Sequence, residues 1–301
     1  MPQRAATVLD ANVRYHDLAA RHYDAKWGIT YGEEGQAQVT AKLLKALGRA
    51  PGVFDRALEI GAGTGYFTLN LMRAGVVREA VATDISPRML EALGRSAEQL
   101  GLTVETAVCE ASHLPFDDSS FDLVFGHAVL HHVPDLQRAF EEFRRVLRPG
   151  GMVAFCGEPS RRGDRISALP KRGAYAAAPV WRALIGASER EAGRNGRPSE
   201  EARLEQVVDL HSFTPAQLGA HARAAGLESV RVSGEELAAA LFGWINRTLE
   251  GTVDPSDVPQ AWRVYAHRGY LLLQRVDRAL LEPRLPPALF YNLLVSARSP
   301  G

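Results

Sequence analysis

The chain has 301 residues, 46% hydrophobic and 23% charged, values of a globular protein and not of a disordered or fibrous one. Its 35 Lys and Arg balance its 35 Asp and Glu, which removes the bulk electrostatic case for a nucleic-acid partner. Two cysteines, Cys109 and Cys156, are too few for a disulfide framework or a structural zinc site and suit a reducing cytoplasm.

Residues 1–7 lack the apolar core of a signal peptide, and Pro2 stands where myristoylation needs glycine. One of the longest uncharged apolar runs, Leu237 to Ile245, has 9 residues against the roughly 20 of a membrane span. The expectation is a soluble, cytoplasmic protein without a transmembrane segment.

In chain order, Asp10 to Asp24 has a loose helical spacing, and Gln38 to Leu47 puts Val39, Leu43, Leu44 and Leu47 on one face of a second helix. Gly48 and Pro51-Gly52 end it. From Ala57 short apolar runs alternate with helical patterns, as in a parallel sheet built from strand–helix–strand units. The runs are 57–60, 80–83, 104–109, 121–125 and 152–156, and their lack of alternation suits strands covered on both faces. Ser86-Pro87 and Pro134-Asp135 open helices, and Pro149-Gly150-Gly151 turns the chain sharply. Arg161 to Arg172 holds five basic residues and one acid and reads as a solvated loop. Such a stretch can also meet a phosphate, a carboxylate or an anionic membrane surface. Ala174 to Ser188 is alanine-rich, and Gly193 to Ser199 is a polar loop. Thr214 caps a helix to Ala225, a sixth strand covers Glu228 to Val232, and 235–281 is mainly helical with a break at 251–259. Leu289 to Ala297 makes the last strand.

The chemistry begins at Glu59-Ile60-Gly61-Ala62-Gly63-Thr64-Gly65, where a strand enters a glycine-rich turn and a helix leaves it. Glycine permits positive φ and close approach of a ligand, and the helix start offers free N–H groups to an anion. A dinucleotide fingerprint wants G-x-G-x-x-G, but position 66 is Tyr. Glu59 ahead of the loop would repel a pyrophosphate and suits an ammonium. Asp84 follows Gly61 by 23 residues, close to the spacing of an acid that binds ribose hydroxyls on the neighbouring strand.

With these motifs the chain resembles the class I S-adenosylmethionine-dependent methyltransferases, in the group that includes ubiquinone and menaquinone methylases. Glu59 to Gly65 resembles the family's first motif and Asp84 to Leu90 its second-strand motif. Leu114 to Asp122, Leu130 to Asp135 and Leu147 to Gly151 resemble the segments that follow. The resemblance implies S-adenosyl-L-methionine as cofactor. It implies that Glu59, Gly61, Ala62, Gly63 and Thr64 face its methionine part. Asp84 would hold the ribose, Ile85 and Met89 the adenine. Glu110 and Ala111 stand where the family meets the adenine edge. His127 would line the sulfonium end, and Tyr23 resembles the tyrosine that covers the cofactor.

His131 and His132 allow three readings: a metal pair, for which no third ligand is near; a general base on the acceptor; or a loop-packing pair. His131 is expected on the substrate side, and no metal is expected.

The expected architecture is one α/β domain, a Rossmann-like, seven-stranded, mostly parallel sheet with helices on both faces, its last strand antiparallel as in the resembling family, and a helical cap. Residues 1–34 form a lid helix and 35–160 the cofactor-binding core. Residues 161–212 and 235–287 form the cap, and 213–234 and 288–298 complete the core. The cap's aromatic and leucine content packs its own core, walls an apolar acceptor site, or forms a homodimer contact. The expected activity is methyl transfer to a small apolar or aromatic acceptor: a lipid, quinone or specialised metabolite. A cofactor-binding regulator and a nicotinamide-dependent oxidoreductase are the rivals.

Overall fold

The computed structural model describes residues 2–20, 22–24, 28–48, 52–190, 203–204, 208 and 211–301. The reading of Gly193 to Ser199 as a loop, and that of Pro51 as a helix stop, lie outside the described residues. By contacts the chain divides into two compact units: Met1–Glu158 with Glu200–Ser233 and Leu294–Gly301, and Pro159–Ser199 with Gly234–Leu293.

The larger unit begins with helices α1 (Pro2–Ala19) and α2 (Glu33–Leu47). Strands β1 (Phe54–Ile60), β2 (Val77–Asp84), β3 (Glu105–Val108), β4 (Phe121–His127) and β5 (Leu147–Pro159) follow. They alternate with α3 (Tyr66–Arg73), α4 (Pro87–Gln99) and α5 (Leu136–Val146). Helix α7 (Pro215–Ala224) precedes β6 (Glu228–Glu235), and β7 (Asn292–Arg298) ends the sheet. The strand order is β3-β2-β1-β4-β5-β7-β6.

β1 pairs parallel with β2 and β4, β2 with β3, and β4 with β5. β7 runs the other way: Gly150 N–H meets the Ser299 carbonyl at one end of β5, and Ser160 N–H meets that of Tyr291 at the other. The reversal of the chain order beside β1 opens a crevice at the carboxyl ends of β1 and β4, the place where open α/β sheets bind ligands. Apolar side chains pack both faces, with Val39, Leu43, Phe54, Phe67, Leu123, Phe125 and Leu294 in one cluster. Such burial, at about 25 cal/mol per Å² of apolar surface, is the main term holding the sheet to its helices.

The caps read from sequence form. Ser86 Oγ accepts from Met89 N–H with Pro87 in the first turn, Asp135 accepts from Arg138 N–H, and Thr214 with Gln217 makes a capping box.

The smaller unit is helical: α6 (Arg161–Ile185), α8 (Ala238–Glu250) and α9 (Gln260–Val276). Residues 161–172 are therefore not a loop. Ser160 accepts from Gly163 N–H at 3.2 Å and starts one helix that runs to the Gly186 cap. Pro170 and Pro179 lie inside it, each at the expense of a backbone hydrogen bond. Packing outweighs that loss: Ala174, Ala178 and Trp181 bury against Leu249, Val253 and Val258, with Trp262 beside them. Asp277, fully buried, accepts from the N–H groups of Ala238 and Ala239, each at 2.9 Å, and caps α8 from the far end of α9.

Candidate functional site

The loop between β1 and α3 takes the conformation its glycines allow, with φ of 64° at Gly61, 55° at Gly63 and 92° at Gly65. All three lie in the left-handed region that other residues avoid. A side chain at Gly61 would strike Val129, so the turn after β4 closes over the first glycine.

Asp84 ends β2, 7% exposed. Its Oδ2 accepts from Gly63 N–H at 2.9 Å and its Oδ1 from Ser86 N–H at 2.8 Å. Burial pushes its carboxyl up to about 6, against the pull of the Ser86, Gly63 and Ile85 N–H groups. It is ionised at neutral pH and ties the two neighbouring strand ends into one crevice. β3 adjoins it, with Cys109 N–H on the Asp84 carbonyl.

Glu59 is 2% exposed, and its Oε2 accepts from the Thr68 N–H at 3.0 Å and from the Thr68 hydroxyl. Burial raises its carboxyl to about 8, with the Thr68 hydrogen bonds opposing. One oxygen of the acid that the motif aims at an ammonium is thus held by the first turns of α3.

Tyr23 lies over the loop: its ring is 3.9 Å from where a Gly63 side chain would begin. Burial, then the charges of Asp84 and Asp24, push its phenol up to about 12. Tyr31, unremarked in the sequence, donates to the Thr64 carbonyl at 2.8 Å. The Thr64 hydroxyl and one Asp24 carboxylate oxygen are buried without a partner among the described residues. Ile85 is half-buried, while Met89 is wholly covered within the protein. Glu110 accepts from the Ser112 hydroxyl at 2.8 Å, and Ala111 beside it is 7% exposed.

After β4 the chain turns through Ala128, a non-glycine at φ 52°, a strained conformation of the kind that gathers at functional sites. His127 stacks on Phe67 with ring centroids 4.7 Å apart. Glu158, fully buried at the end of β5, accepts from the N–H groups of Val129, Leu130 and His131 and from His131 Nδ1 at 2.9 Å. Burial alone would raise its carboxyl. The His131 hydrogen bond and charge, with the Leu130 and Val129 N–H groups, outweigh burial and hold it below the ordinary range. The His132 ring lies 4.0 Å from that of His131 and 5.5 Å from that of His16 in α1. Asn12, one turn before His16, is fully buried, and both its amide atoms lack a partner among the described residues.

Sequence reasoning missed Glu158, Tyr31 and Asn12. For Glu158 a signal existed: an acid just past an apolar strand run needs a partner if it is buried, and two histidines follow the neighbouring strand.

Residues 58–155 match the family model described as "Methyltransferase domain". This segment is a class I S-adenosylmethionine-dependent methyltransferase domain. The chain is 33% identical over 189 residues to the malonyl-[acyl-carrier protein] O-methyltransferase of Methylococcus capsulatus, covering 61% of each chain. It is 38% identical over 121 residues to the demethylmenaquinone methyltransferase of Staphylococcus aureus, covering 40% of this chain and 48% of that one. Across the curated relatives it matches, the aligned region spans about half of their length. Among solved structures, the phosphoethanolamine N-methyltransferase 2 of Haemonchus contortus shares the fold, with a TM-score of 0.60 and 17% identity over 98% of this chain and 59% of that one.

The methyltransferase domain fits S-adenosylmethionine on its own features. Three glycines clear the loop of side chains, the Thr64 hydroxyl is left unsatisfied, and an ionised acid stands at the end of β2. No helix among the described residues is long and apolar enough to cross a membrane.

Proposed function

We propose that the protein transfers the methyl group of S-adenosylmethionine to a small organic acceptor with an apolar or aromatic body. The observation that carries the reading is the Asp84–Gly63 contact, an ionised carboxylate and a bare glycine loop joined across one crevice. When bound, the cofactor supplies an electrophilic methyl group on a sulfonium, and the protein's part is orientation and electrostatics. Asp84, Ile85, Glu110 and Ala111 hold the nucleoside half, and Met89, buried within the protein, packs behind them. Glu59, Gly61, Ala62, Gly63 and Thr64 hold the amino-acid half, Tyr23 covers it, and His127 lines the reactive end.

His131 serves the acceptor. Glu158 meets the ring at Nδ1, 2.9 Å away, and so fixes its orientation, with Nε2 the nitrogen that takes a proton whenever the ring is neutral. That arrangement can receive a proton from an acceptor hydroxyl, or from a carbon acid, as methylation proceeds. Asn12 offers a buried amide to orient a polar group on the acceptor. The relative named for demethylmenaquinone supports an acceptor of this class.

The test is a panel assay with methyl-labelled S-adenosylmethionine against quinols, phenols, acyl carboxylates and the polar amine phosphoethanolamine. Label in the apolar acceptors alone is expected. Tight cofactor binding with no methylated product across the panel would favour a non-catalytic regulator. Label in phosphoethanolamine alone would overturn the acceptor class.

A further inference from the structure

The neutral total charge conceals a division. Residues 159–199 and 234–293 hold 15 Lys and Arg against 10 Asp and Glu, a net +5, so the remainder of the chain carries −5. Three of those ten acids, Glu235, Glu236 and Asp277, are buried. The exposed surface of the helical unit is therefore more basic than its net charge.

Helix α6 concentrates this asymmetry. Its inner face is Gly163, Ser167, Ala174, Ala178 and Trp181, all buried. A second face is apolar and open to solvent: Ile166 is 36% exposed, Leu169 71%, Val180 67% and Leu184 81%. At 100° per residue these four, with Gly173 and Ala176, fall within an arc of about 80°. Arg161, Arg165 and Arg172, all exposed, line one flank of that arc, and exposed Arg162 lies within it, in the first turn. Three of these arginines sit in the first turns of α6, where the helix dipole disfavours positive charge. Helix stability does not account for them. An amphipathic helix with arginines flanking an apolar stripe is built to lie in a lipid interface.

We propose that the helical unit docks on an anionic bilayer surface, with Leu169, Val180 and Leu184 entering the interface and the α6 arginines on the phosphates. Charge favours this occupant over a second copy of the chain, because a symmetric pairing through α6 would bring one +5 unit against another. Docking of this kind needs no membrane span.

The experiment is co-sedimentation of the full chain with vesicles of phosphatidylcholine alone or with 30% phosphatidylglycerol, a composition set by the experimenter. Each basic residue near an anionic surface contributes about fivefold in affinity. The expected result is binding to the anionic vesicles only, weakened by 0.5 M salt, a concentration that screens within roughly a few ångströms. Leu169→Glu with Leu184→Glu, and separately Arg162→Gln with Arg165→Gln, are expected to lose at least about tenfold. Circular dichroism and cofactor affinity, both unchanged, show that these surface variants fold. Absent binding, equal binding to neutral vesicles, or variants that bind like the wild type would overturn the proposal. So would a dimer in sedimentation equilibrium that Leu169→Glu converts to monomer, which would give the stripe to a second copy.

Discussion

In the larger unit the backbone makes the site: three glycines at positive φ, a strand-end carboxylate on a loop N–H, and a buried glutamate gathering three more N–H groups. In the smaller unit side-chain packing makes the structure, around Trp181, Leu249, Val253 and Val258. The charges differ as well, −5 against +5. A site that depends on backbone conformation admits few residues at each position, so it can be read from sequence. Helix packing admits many apolar combinations, and it leaves the surface free to carry charge.

The comparison breaks first at His131. We predict that His131→Ala lowers turnover by ~10²–10⁴, with cofactor affinity unchanged, if the ring receives a proton from the acceptor. A folded variant with wild-type turnover from pH 6 to 9 would reduce the Glu158–His131 pair to a loop anchor.

Next in size is a strike at the helical unit. A side chain at Gly163 would begin 2.2 Å from the Phe290 carbonyl oxygen. Gly163→Val should cost about 1–3 kcal/mol or more by overpacking. Hydrogen exchange should quicken in 159–185 and 234–293, and 54–158 should keep its protection and its cofactor affinity. A parallel loss in both regions would show that the two units are not separable.

A third test concerns the electrostatics of the larger unit. The Glu59 carboxyl is raised to about 8 in the fold, against roughly 4.3 in an unfolded chain. Between those values the folded state holds the proton and the unfolded state has released it, so stability falls as pH rises through that window. Glu59→Gln should flatten the dependence and raise the melting temperature at pH 8 relative to pH 5 by a few degrees. A wild-type slope in the variant would assign it to another group.

Much of this was legible in residues 57–158. There Glu59, Asp84, the glycines and the Ser86 and Asp135 caps, like Thr214 further on, each admit only one or a few residue types at one place. The stretch 161–172 was not, because its arginines and Pro170 read as loop residues. Its helix starts at the Ser160 cap, packs Gly163 against Phe290 and Tyr291, and continues into the buried Ala174, Ala178 and Trp181, all of them tertiary facts. Glu158 escaped because its partners lie on another strand's exit, 27 to 29 residues earlier in the chain. Tyr31 and Asn12 carry no local pattern at all, and their burial is a tertiary fact.

The central claim is that the crevice joining Gly63 to Asp84 binds S-adenosylmethionine, and calorimetry with S-adenosylhomocysteine tests it most directly. Charge-assisted hydrogen bonds contribute about 1.5–3 kcal/mol each, so Asp84→Ala should weaken binding at least about tenfold in a protein that remains folded. Affinity in the wild type should also fall as pH drops through about 6, where Asp84 takes up its proton. The same titration with NAD should give no heat. Unchanged affinity in folded Asp84→Ala, or heat with NAD in place of S-adenosylhomocysteine, would contradict the account.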